Sequence, residues 1–391
     1  MSSANISSRQ WASIIVLSVA AAAVLAEFVL AYRASDQLTI PFYNRLYPYT
    51  MFQPHPNLEF VSRDLNSPGH VMSHHTRPIT HYTQEDGFRV ASPGYLLPKA
   101  KPPGQLRVAV LGGSAVQTGS SFEFALAGSL KLQLQERFPA RDVEVINAGI
   151  VSSVSRQAIV YLLFTVFEYQ PDVVILYDGF NDLMLPLNYE SRPNFPYNFQ
   201  AMEAAWEEYR GEHQSSLWRL VFDRSRLYHA LRGRLASDGS DQKPGLFVGP
   251  NAKSADDVLA DPEWIASHVS AYLSNWNQLI ALSRAYDFEP VCILQPTAAF
   301  DPEHGLKVLV EGYRLDDVAA HDWMQAICFL YEEASSQIKT LSQEHEKHNV
   351  IDFSHLLLPA EPHFWDIVHL YDESNAIVAR RIVDQVWPRG D

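Results

Sequence analysis

The chain is poor in cysteine and in positive charge, and each shortage excludes a class of protein. Its 391 residues include two cysteines, Cys292 and Cys328, and neither has the C-x-x-C spacing of redox or zinc sites. We expect both to be free, buried thiols, Cys292 in a strand and Cys328 in a helix. The chain has 30 lysines and arginines but 45 aspartates and glutamates, a net charge of -15. This balance excludes a typical nucleic-acid-binding protein, which has a basic face.

Long apolar runs are also scarce, with one exception near the N-terminus. Ala12–Ala31 is apolar except for three polar residues and is long enough to span a bilayer as a helix. We therefore expect residues 1–33 to form a membrane anchor. A cleaved signal peptide ending near Ala26 is the rival interpretation, and it would give a secreted protein. The flanking arginines balance each other and leave the orientation open.

The rest of the sequence indicates an α/β fold. Residues 34–105 show little periodicity and are expected to be an irregular lead-in, whereas residues 106–391 alternate apolar runs with helical patterns. That alternation predicts a flavodoxin-like, three-layer α/β/α domain with a five-stranded parallel sheet in the order 2-1-3-4-5. Residues 183–260 interrupt the alternation and are expected to be an inserted helical segment or lid.

Five strands and five helices are expected in this domain. The predicted strands are Arg107–Leu111, Val143–Ile146, Val173–Tyr177, Pro290–Leu294 and Val350–Phe353. The predicted helices are Phe122–Phe138, Arg156–Tyr169, one that begins after an N-cap at Asp261, Asp322–Leu341 and Asp372–Val386.

Polar residues follow several of these strands, at the sheet edge where ligands bind in open α/β folds. Ser114 follows the first strand, Asn181 the third, and Asp366 and His369 the fifth. A hydroxyl, an imidazole and a carboxylate are the minimum set for Ser-His-Asp acyl transfer. Asn181 adds an amide donor for an oxyanion.

Each of these residues also has an ordinary structural interpretation. Ser114 could be a helix N-cap, Asn181 a turn residue, and Asp366 with His369 a surface pair. Asp182 is expected to be structural, as a cap of the turn or of the following helix. His363 is a competing base, although its spacing fits less well.

The ordered set resembles the SGNH (GDSL-type) hydrolase superfamily over about residues 105–391. The resemblance is carried by four segments: Gly112-Gly113-Ser114, Asn147, Gly179-Phe180-Asn181-Asp182 and Asp366-Ile367-Val368-His369. It implies that Ser114 is the nucleophile, that His369 takes its proton and that Asp366 orients the imidazole. It also implies an oxyanion hole formed by the Asn181 amide and the Ser114 backbone N–H.

The chain departs from the family at the second segment. The family usually has a glycine five residues after the asparagine, and its N–H completes the oxyanion hole; this chain has Ser152. Ser152 is the expected third donor, and Gly149 is nearby and could compensate. Gln295 and Asp178 lie at the same edge of the sheet and are candidate substrate contacts.

The resemblance implies a serine esterase acting on O-acyl, most simply O-acetyl, groups of a carbohydrate or another small ester. It requires no metal and no organic cofactor. An N-terminal anchor followed by the Asp86-Gly87-Phe88-Arg89 turn is similar to bacterial members associated with envelope polysaccharides. This similarity implies an extracytoplasmic catalytic domain, with a membrane acyltransferase assembly as a candidate partner.

Three other functions stay open at this point. The chain could be an O-acyltransferase, which shares the triad but excludes water. It could be a non-catalytic glycan- or partner-binding module, an alternative that the Ser152 departure keeps open. It could also be an intracellular lipase or thioesterase tethered to a membrane, which depends on the orientation of the anchor.

Overall fold

The computed structural model describes residues 44–47, 49–62, 77–188, 192–196, 254–313, 315–346, 348–357 and 362–388. The chain separates into two units. One comprises Phe42–Tyr197 and Pro244–Asp391 and contains every described residue, and the other, Met1–Pro41 with Asn198–Lys243, lies outside the described ranges. Within those ranges, no helix combines the length and apolar composition that crossing a bilayer requires. The predicted anchor and most of the predicted insertion lie outside them.

Ten strands and nine α-helices make up the described part of the chain. The strands are β1 (Asn44–Tyr47), β2 (Met51–Pro54), β3 (Glu59–Ser62), β4 (Ile79–Thr83), β5 (Arg89–Val90), β6 (Leu106–Gly112), β7 (Val143–Gly149), β8 (Val173–Asp178), β9 (Glu289–Leu294) and β10 (Asn349–Asp352). The helices are α1 (Ser114–Gln117), α2 (Leu126–Arg137), α3 (Ser155–Phe164), α4 (Phe180–Asn188), α5 (Ala255–Leu259), α6 (Pro262–Tyr286), α7 (Pro302–Tyr313), α8 (Asp317–Glu344) and α9 (Asp372–Val386).

The central sheet has eight strands, in the order β10-β9-β8-β6-β7-β5-β4-β3. The prediction of a five-stranded sheet is therefore wrong in its count. The five parallel strands of the observed sheet do follow the predicted order 2-1-3-4-5. Side by side they run β7-β6-β8-β9-β10, and β6 is the first of the five along the chain and β7 the second. The three additional strands are antiparallel and extend the sheet beyond β7.

The additional strands come from the segment expected to be an irregular lead-in. They have two to five residues each, too few for apolar alternation to be visible in the sequence. Their pairing is through the backbone, for example between Arg89 of β5 and Asn147 of β7. A separate β1–β2 hairpin precedes them.

Helices cover both faces of the parallel strands. The connection from β6 to β7 through α2 moves along the sheet in the opposite direction to the connections through α3, α6 and α8. Because such crossover connections are right-handed, α2 lies on one face of the sheet and α3, α6 and α8 lie on the opposite face. Helix α9 packs against α2, and α6 packs against α3 and α8. Strands β6 and β8 are buried along their whole length, which explains why they are apolar except for Arg107 in β6 and Asp178 at the end of β8.

Most predicted helices form, with shifted boundaries. Helix α9 has the predicted bounds, and Asp261 caps α6 by accepting the backbone N–H of Trp264. The helix expected from Phe122 begins only at Leu126, because the preceding residues form a turn. Cys292 lies in β9 and Cys328 in α8, and both thiols are free.

Candidate active site

Ser114 is the first residue of α1, immediately beyond the end of β6. The chain bends sharply there, with Gly112 at φ +148°, and a Cβ on Gly112 would lie 2.0 Å from the carbonyl oxygen of Tyr177. Only glycine fits this close approach between neighbouring strands. The bend places the partly exposed Ser114 hydroxyl at the carboxyl edge of the sheet, where ligands bind in this class of fold.

Asp366 and His369 lie in the loop between β10 and α9, and this loop brings them to Ser114. Nδ1–H of His369 donates to Oδ2 of Asp366 at 2.6 Å, which leaves Nε2 to accept the Ser114 hydroxyl proton at 2.7 Å. Oδ1 of Asp366 accepts the backbone N–H groups of Val368 and His369 at 2.8 and 2.6 Å. The carboxylate is thus fully engaged, and the imidazole is held in the tautomer that a general base requires.

The rest of the structure holds this loop in place. The carbonyl of Ile367 accepts both the backbone N–H of Ala298 and the Thr297 hydroxyl at 2.9 Å. The indole of Trp365 stacks on the His369 ring, with centroids 4.9 Å apart and an interplanar angle of 11°. Thr297 and Ala298 follow the end of β9. The positions of Asp366 and His369 therefore depend on the assembled sheet and not on the loop alone.

Asn181 lies next to Gly113, the residue before Ser114, and belongs to the first turn of α4. Its Nδ2 donates to the carbonyl of Ser153 at 2.8 Å and lies 2.9 Å from where a Cβ on Gly113 would be. One amide hydrogen is therefore used to fix the side chain. The second is available next to the backbone of Ser114, whose own N–H has no acceptor among the described residues.

Ser152 adopts the backbone conformation that favours glycine. Its φ is +62°, in the left-handed region, and its N–H has no acceptor among the described residues. The turn around Ser152 lies against the end of β6, because the Ile150 N–H donates to the carbonyl of Gly112 at 2.9 Å. The chain therefore keeps the tight turn despite the substitution, and it retains a free backbone donor there.

The structure does not give Gly149 the same role. Gly149 is the last residue of β7, its N–H faces Oδ1 of Asn147 at 3.3 Å, and its carbonyl accepts from Gln117 at 2.6 Å. A Cβ there would meet Val116 at 2.8 Å. Gly149 therefore serves the packing of α1 against β7, and its N–H is already engaged.

The two candidate substrate contacts are both buried, with 3% of the surface of Asp178 and of Gln295 exposed. Oδ1 of Asp178 accepts the phenolic hydroxyl of Tyr272 at 3.1 Å. Burial and the neighbouring Asp182 raise the pKa of Asp178 well above its usual value. Asp178 therefore belongs to a buried polar cluster behind the site, and a substrate contact for Gln295 stays a prediction.

His363, the competing base, is not hydrogen-bonded to Ser114. Its Nδ1 shares a hydrogen bond with the Ser374 hydroxyl at 3.1 Å. In the part of the chain that the structure covers, no group of three or more histidine, cysteine or acidic residues could hold a metal ion. The imidazole that contacts the Ser114 hydroxyl is that of His369, which is bonded in turn to Asp366.

Sequence reasoning missed the role of Arg89. This buried arginine, which the sequence places at the end of the Asp86-Gly87-Phe88-Arg89 turn, donates to the carbonyls of Thr80, Gln117 and Gly119. Gln117 is the last residue of α1 and Gly119 lies two residues beyond it, so Arg89 ties the antiparallel strands to the nucleophile segment. A buried arginine beside apolar strand residues is the one signal that could have indicated this contact.

No family model and no curated protein matches the chain. Among solved structures, the chain is similar to a mutant of an acetyl-xylooligosaccharide esterase from a Geobacillus species (14% identity, TM-score 0.37, covering 73% of this chain and 97% of that one). A protein from Bacteroides fragilis described as an acylhydrolase matches with 13% identity and a TM-score of 0.35, covering 74% and 89%. A gut microbial diltiazem-metabolizing enzyme matches with 12% identity and a TM-score of 0.39, covering 73% and 48%. The likeness is coarse at these scores, and the function proposed below rests on the geometry of the site.

Proposed function

We propose that the chain is a serine esterase of the SGNH type that hydrolyses O-acyl groups, with acetyl as the expected acyl group. One observation carries the proposal: the continuous hydrogen-bonded series from Asp366 through His369 to the Ser114 hydroxyl. Ser114 and His369 are 255 residues apart in the sequence. A helix cap or a surface pair would not require the imidazole to contact both groups at 2.6 and 2.7 Å.

The first half of the reaction forms an acyl-enzyme. Ser114 Oγ bonds to the acyl carbon as its proton moves to Nε2 of His369, and the carbonyl oxygen becomes an oxyanion. The intermediate collapses by breaking the bond to the leaving oxygen, which takes the proton from Nε2. Asp366 stabilises the transient imidazolium through the Nδ1–H hydrogen bond.

Water completes the cycle by the same steps in reverse. His369 removes a proton from the attacking water, the new oxyanion forms, and Ser114 leaves as its hydroxyl is reprotonated. The Asn181 amide and the backbone N–H groups of Ser114 and Ser152 are the proposed donors to both oxyanions. If a sugar hydroxyl replaces water, the same steps give acyl transfer, and the acyl group is found on the acceptor.

An O-acetylated carbohydrate is the proposed substrate class. Support comes from the sequence resemblance to bacterial members associated with envelope polysaccharides, together with the proposed N-terminal anchor at residues 12–31. We further propose that this anchor keeps the catalytic domain at the extracytoplasmic face, beside a membrane acyltransferase assembly. Topology reporters fused after residue 40 test this placement: a cytoplasmic signal would overturn it.

The esterase is tested with the full-length chain and a fluorophosphonate. Intact mass should show a single adduct on the wild type, none on Ser114→Ala, and slow labelling of His369→Ala. Acetate release from acetylated xylo-oligosaccharides should then follow the same order. Folded wild type that gains no adduct and releases no acetate would overturn the enzyme and favour a binding module.

A further inference from the structure

Two consecutive residues of α4 hold one turn of the chain beside the active site. Asn181 donates its amide to the carbonyl of Ser153 at 2.8 Å. Asp182 accepts the Ser155 backbone N–H at 3.0 and 3.1 Å and the Ser155 hydroxyl at 2.6 Å. The first turn of α4 therefore holds the turn that includes Ser152 at two points, Ser153 and Ser155, which follow Ser152 by one and three residues.

The Asp182 carboxylate has an unusual position at the start of two helices. It lies in the first turn of α4, and Ser155, whose N–H it accepts, is the first residue of α3. The positive ends of both helix dipoles meet there and favour a negative charge. Hydrogen bonds to an ionised acceptor are about twice as strong as neutral ones, so the ionised carboxylate is the form that fixes Ser155 best.

We propose that Asp182 is a positioning residue for the oxyanion hole. Its ionised carboxylate pins Ser155, and the pinned turn keeps Ser152 in its left-handed conformation and presents the Ser153 carbonyl to the Asn181 amide. Loss of the charge would let the strained Ser152 relax and would misplace two of the three proposed oxyanion donors. This role rests on the esterase mechanism proposed above.

The surroundings of Asp182 are mostly acidic or neutral. Asp178 on β8, Tyr272 on α6 and Tyr331 on α8 interact with it electrostatically, and Arg156 on α3 supplies positive charge. Burial, the largest cause, raises the pKa of Asp182 to about 6. Because this pKa is higher than in the unfolded chain, ionised Asp182 lowers the free energy of unfolding as pH rises from about 4 to 6.

The loss of stability caused by ionised Asp182 makes it possible to distinguish a positioning residue from one that supports the fold. A neutral residue of the same shape removes the buried charge, so Asp182→Asn should unfold at pH 8 at a temperature equal to or above that of the wild type. The same variant should be the poorer enzyme. If Asp182 merely supported the fold, Asp182→Asn would lower both the unfolding temperature and the activity.

The test compares the full-length wild type with Asp182→Asn, Asn181→Ala and the double variant, using 4-nitrophenyl acetate at pH 8. We expect Asn181→Ala to lower kcat about 100-fold. Asp182→Asn should lower kcat about 10-fold with KM changed less than twofold. The double variant should be no slower than Asn181→Ala by more than about threefold, because the part of the Asp182→Asn loss that acts through the Asn181 amide is already gone and only the Ser152 donor is still misplaced.

Asp316→Asn is the matched control. Asp316 caps α8 by accepting the Ala319 N–H at 2.8 Å, and that helix terminus carries none of the proposed donors. This variant should keep the wild-type kcat. If Asp182→Asn fails to fold, Ser155→Ala replaces it. That change keeps the Ser155 N–H bond to Asp182, removes the hydroxyl's bonds to Asp182 and to the Asn275 amide, and should lower kcat severalfold.

The outcomes separate this role from the proposed function. A wild-type kcat in Asp182→Asn, or a double variant whose loss is the product of the single losses, would overturn the positioning role alone. Full activity in Asn181→Ala would overturn the assigned oxyanion hole and this role with it. A wild type without esterase activity or fluorophosphonate adduct would overturn the proposed function itself.

Discussion

The Asn181 amide packs directly against Gly113, the residue before the proposed nucleophile. A Cβ built on Gly113 would lie 2.9 Å from Nδ2 of Asn181 and 3.5 Å from the Ser153 carbonyl that the amide bonds. The backbone of Gly113, at φ -83°, is open to any residue. The glycine is therefore required for the space that the amide occupies and not for its conformation.

Gly113→Ala should consequently damage catalysis without unfolding the chain. The added methyl group displaces the Asn181 amide, and loss of one oxyanion donor typically lowers kcat about 100-fold or more. Steady-state hydrolysis of 4-nitrophenyl acetate measures this loss, and circular dichroism checks the fold. In the Asn181→Ala background, Gly113→Ala should have little further effect because the clashing amide is gone. A further 100-fold loss there would contradict this explanation.

Ser152→Gly should stabilise the chain and preserve activity. A non-glycine residue in the left-handed region costs about 1–2 kcal/mol, of which the greater freedom of unfolded glycine offsets about 0.5–1 kcal/mol. Urea unfolding should therefore show a gain of up to about 1 kcal/mol. Ser342→Gly, within helix α8, is the opposite control and should lose about 0.5 kcal/mol. A destabilised Ser152→Gly would mean that the serine side chain stabilises the turn.

Arg89→Met should destabilise the chain strongly. It leaves the carbonyls of Thr80, Gln117 and Gly119 without their donor, and each unsatisfied buried group costs about 1–3 kcal/mol. We expect a loss of about 3 kcal/mol or more in urea unfolding, with reduced esterase activity in the folded fraction. Arg89→Lys should lose less, since one ammonium can still donate to one or two of these carbonyls.

An exposed arginine provides the control for that loss. Arg45→Met removes a guanidinium that lies 5.9 Å from the centroid of the Tyr47 ring at the surface, and it should change stability by less than about 0.5 kcal/mol. Equal effects at the two positions would show that the contacts of Arg89 with the nucleophile segment contribute nothing specific.

The parallel half of the fold was predictable from sequence because its signals are local. Fully buried strands such as β6 and β8 are mostly apolar runs, and the helices between them are long enough to show their period. Strand ends then place Ser114 and Asn181 at a shared edge. The contact of His369 with Ser114 follows from the same topology.

The parts that sequence reasoning missed depend on distant contacts. Strand β5 has two residues, and its pairing with β7 is a backbone contact that no side-chain pattern records. Arg89 acts on carbonyls about 30 residues away. The sequence predicts Asp182 as a cap of its own turn or of the following helix, whereas its carboxylate accepts the N–H of Ser155 at the start of α3. In each case the partner is determined only when the sheet is assembled.

His81 gives the stability of the chain a dependence on pH that opposes that of Asp182. It lies in β4 with 2% of its surface exposed, and burial together with the charge of Arg89 lowers its pKa well below its usual value. As pH falls below about 6.5, the unfolded chain takes up a proton at His81 that the folded chain does not. The free energy of unfolding therefore decreases, by up to about 2 kcal/mol between pH 6.5 and 5.

A His81→Gln variant isolates this contribution, because the acidic groups titrate in both proteins. Urea unfolding at pH 7.5 and pH 5 should show that the wild type loses more free energy of unfolding than the variant over this interval, by up to about 2 kcal/mol. His321→Gln, at an exposed position within α8, should behave like the wild type. If His81→Gln loses as much as the wild type, His81 is protonated in the folded chain, and β4 must then accommodate a buried charge beside Arg89.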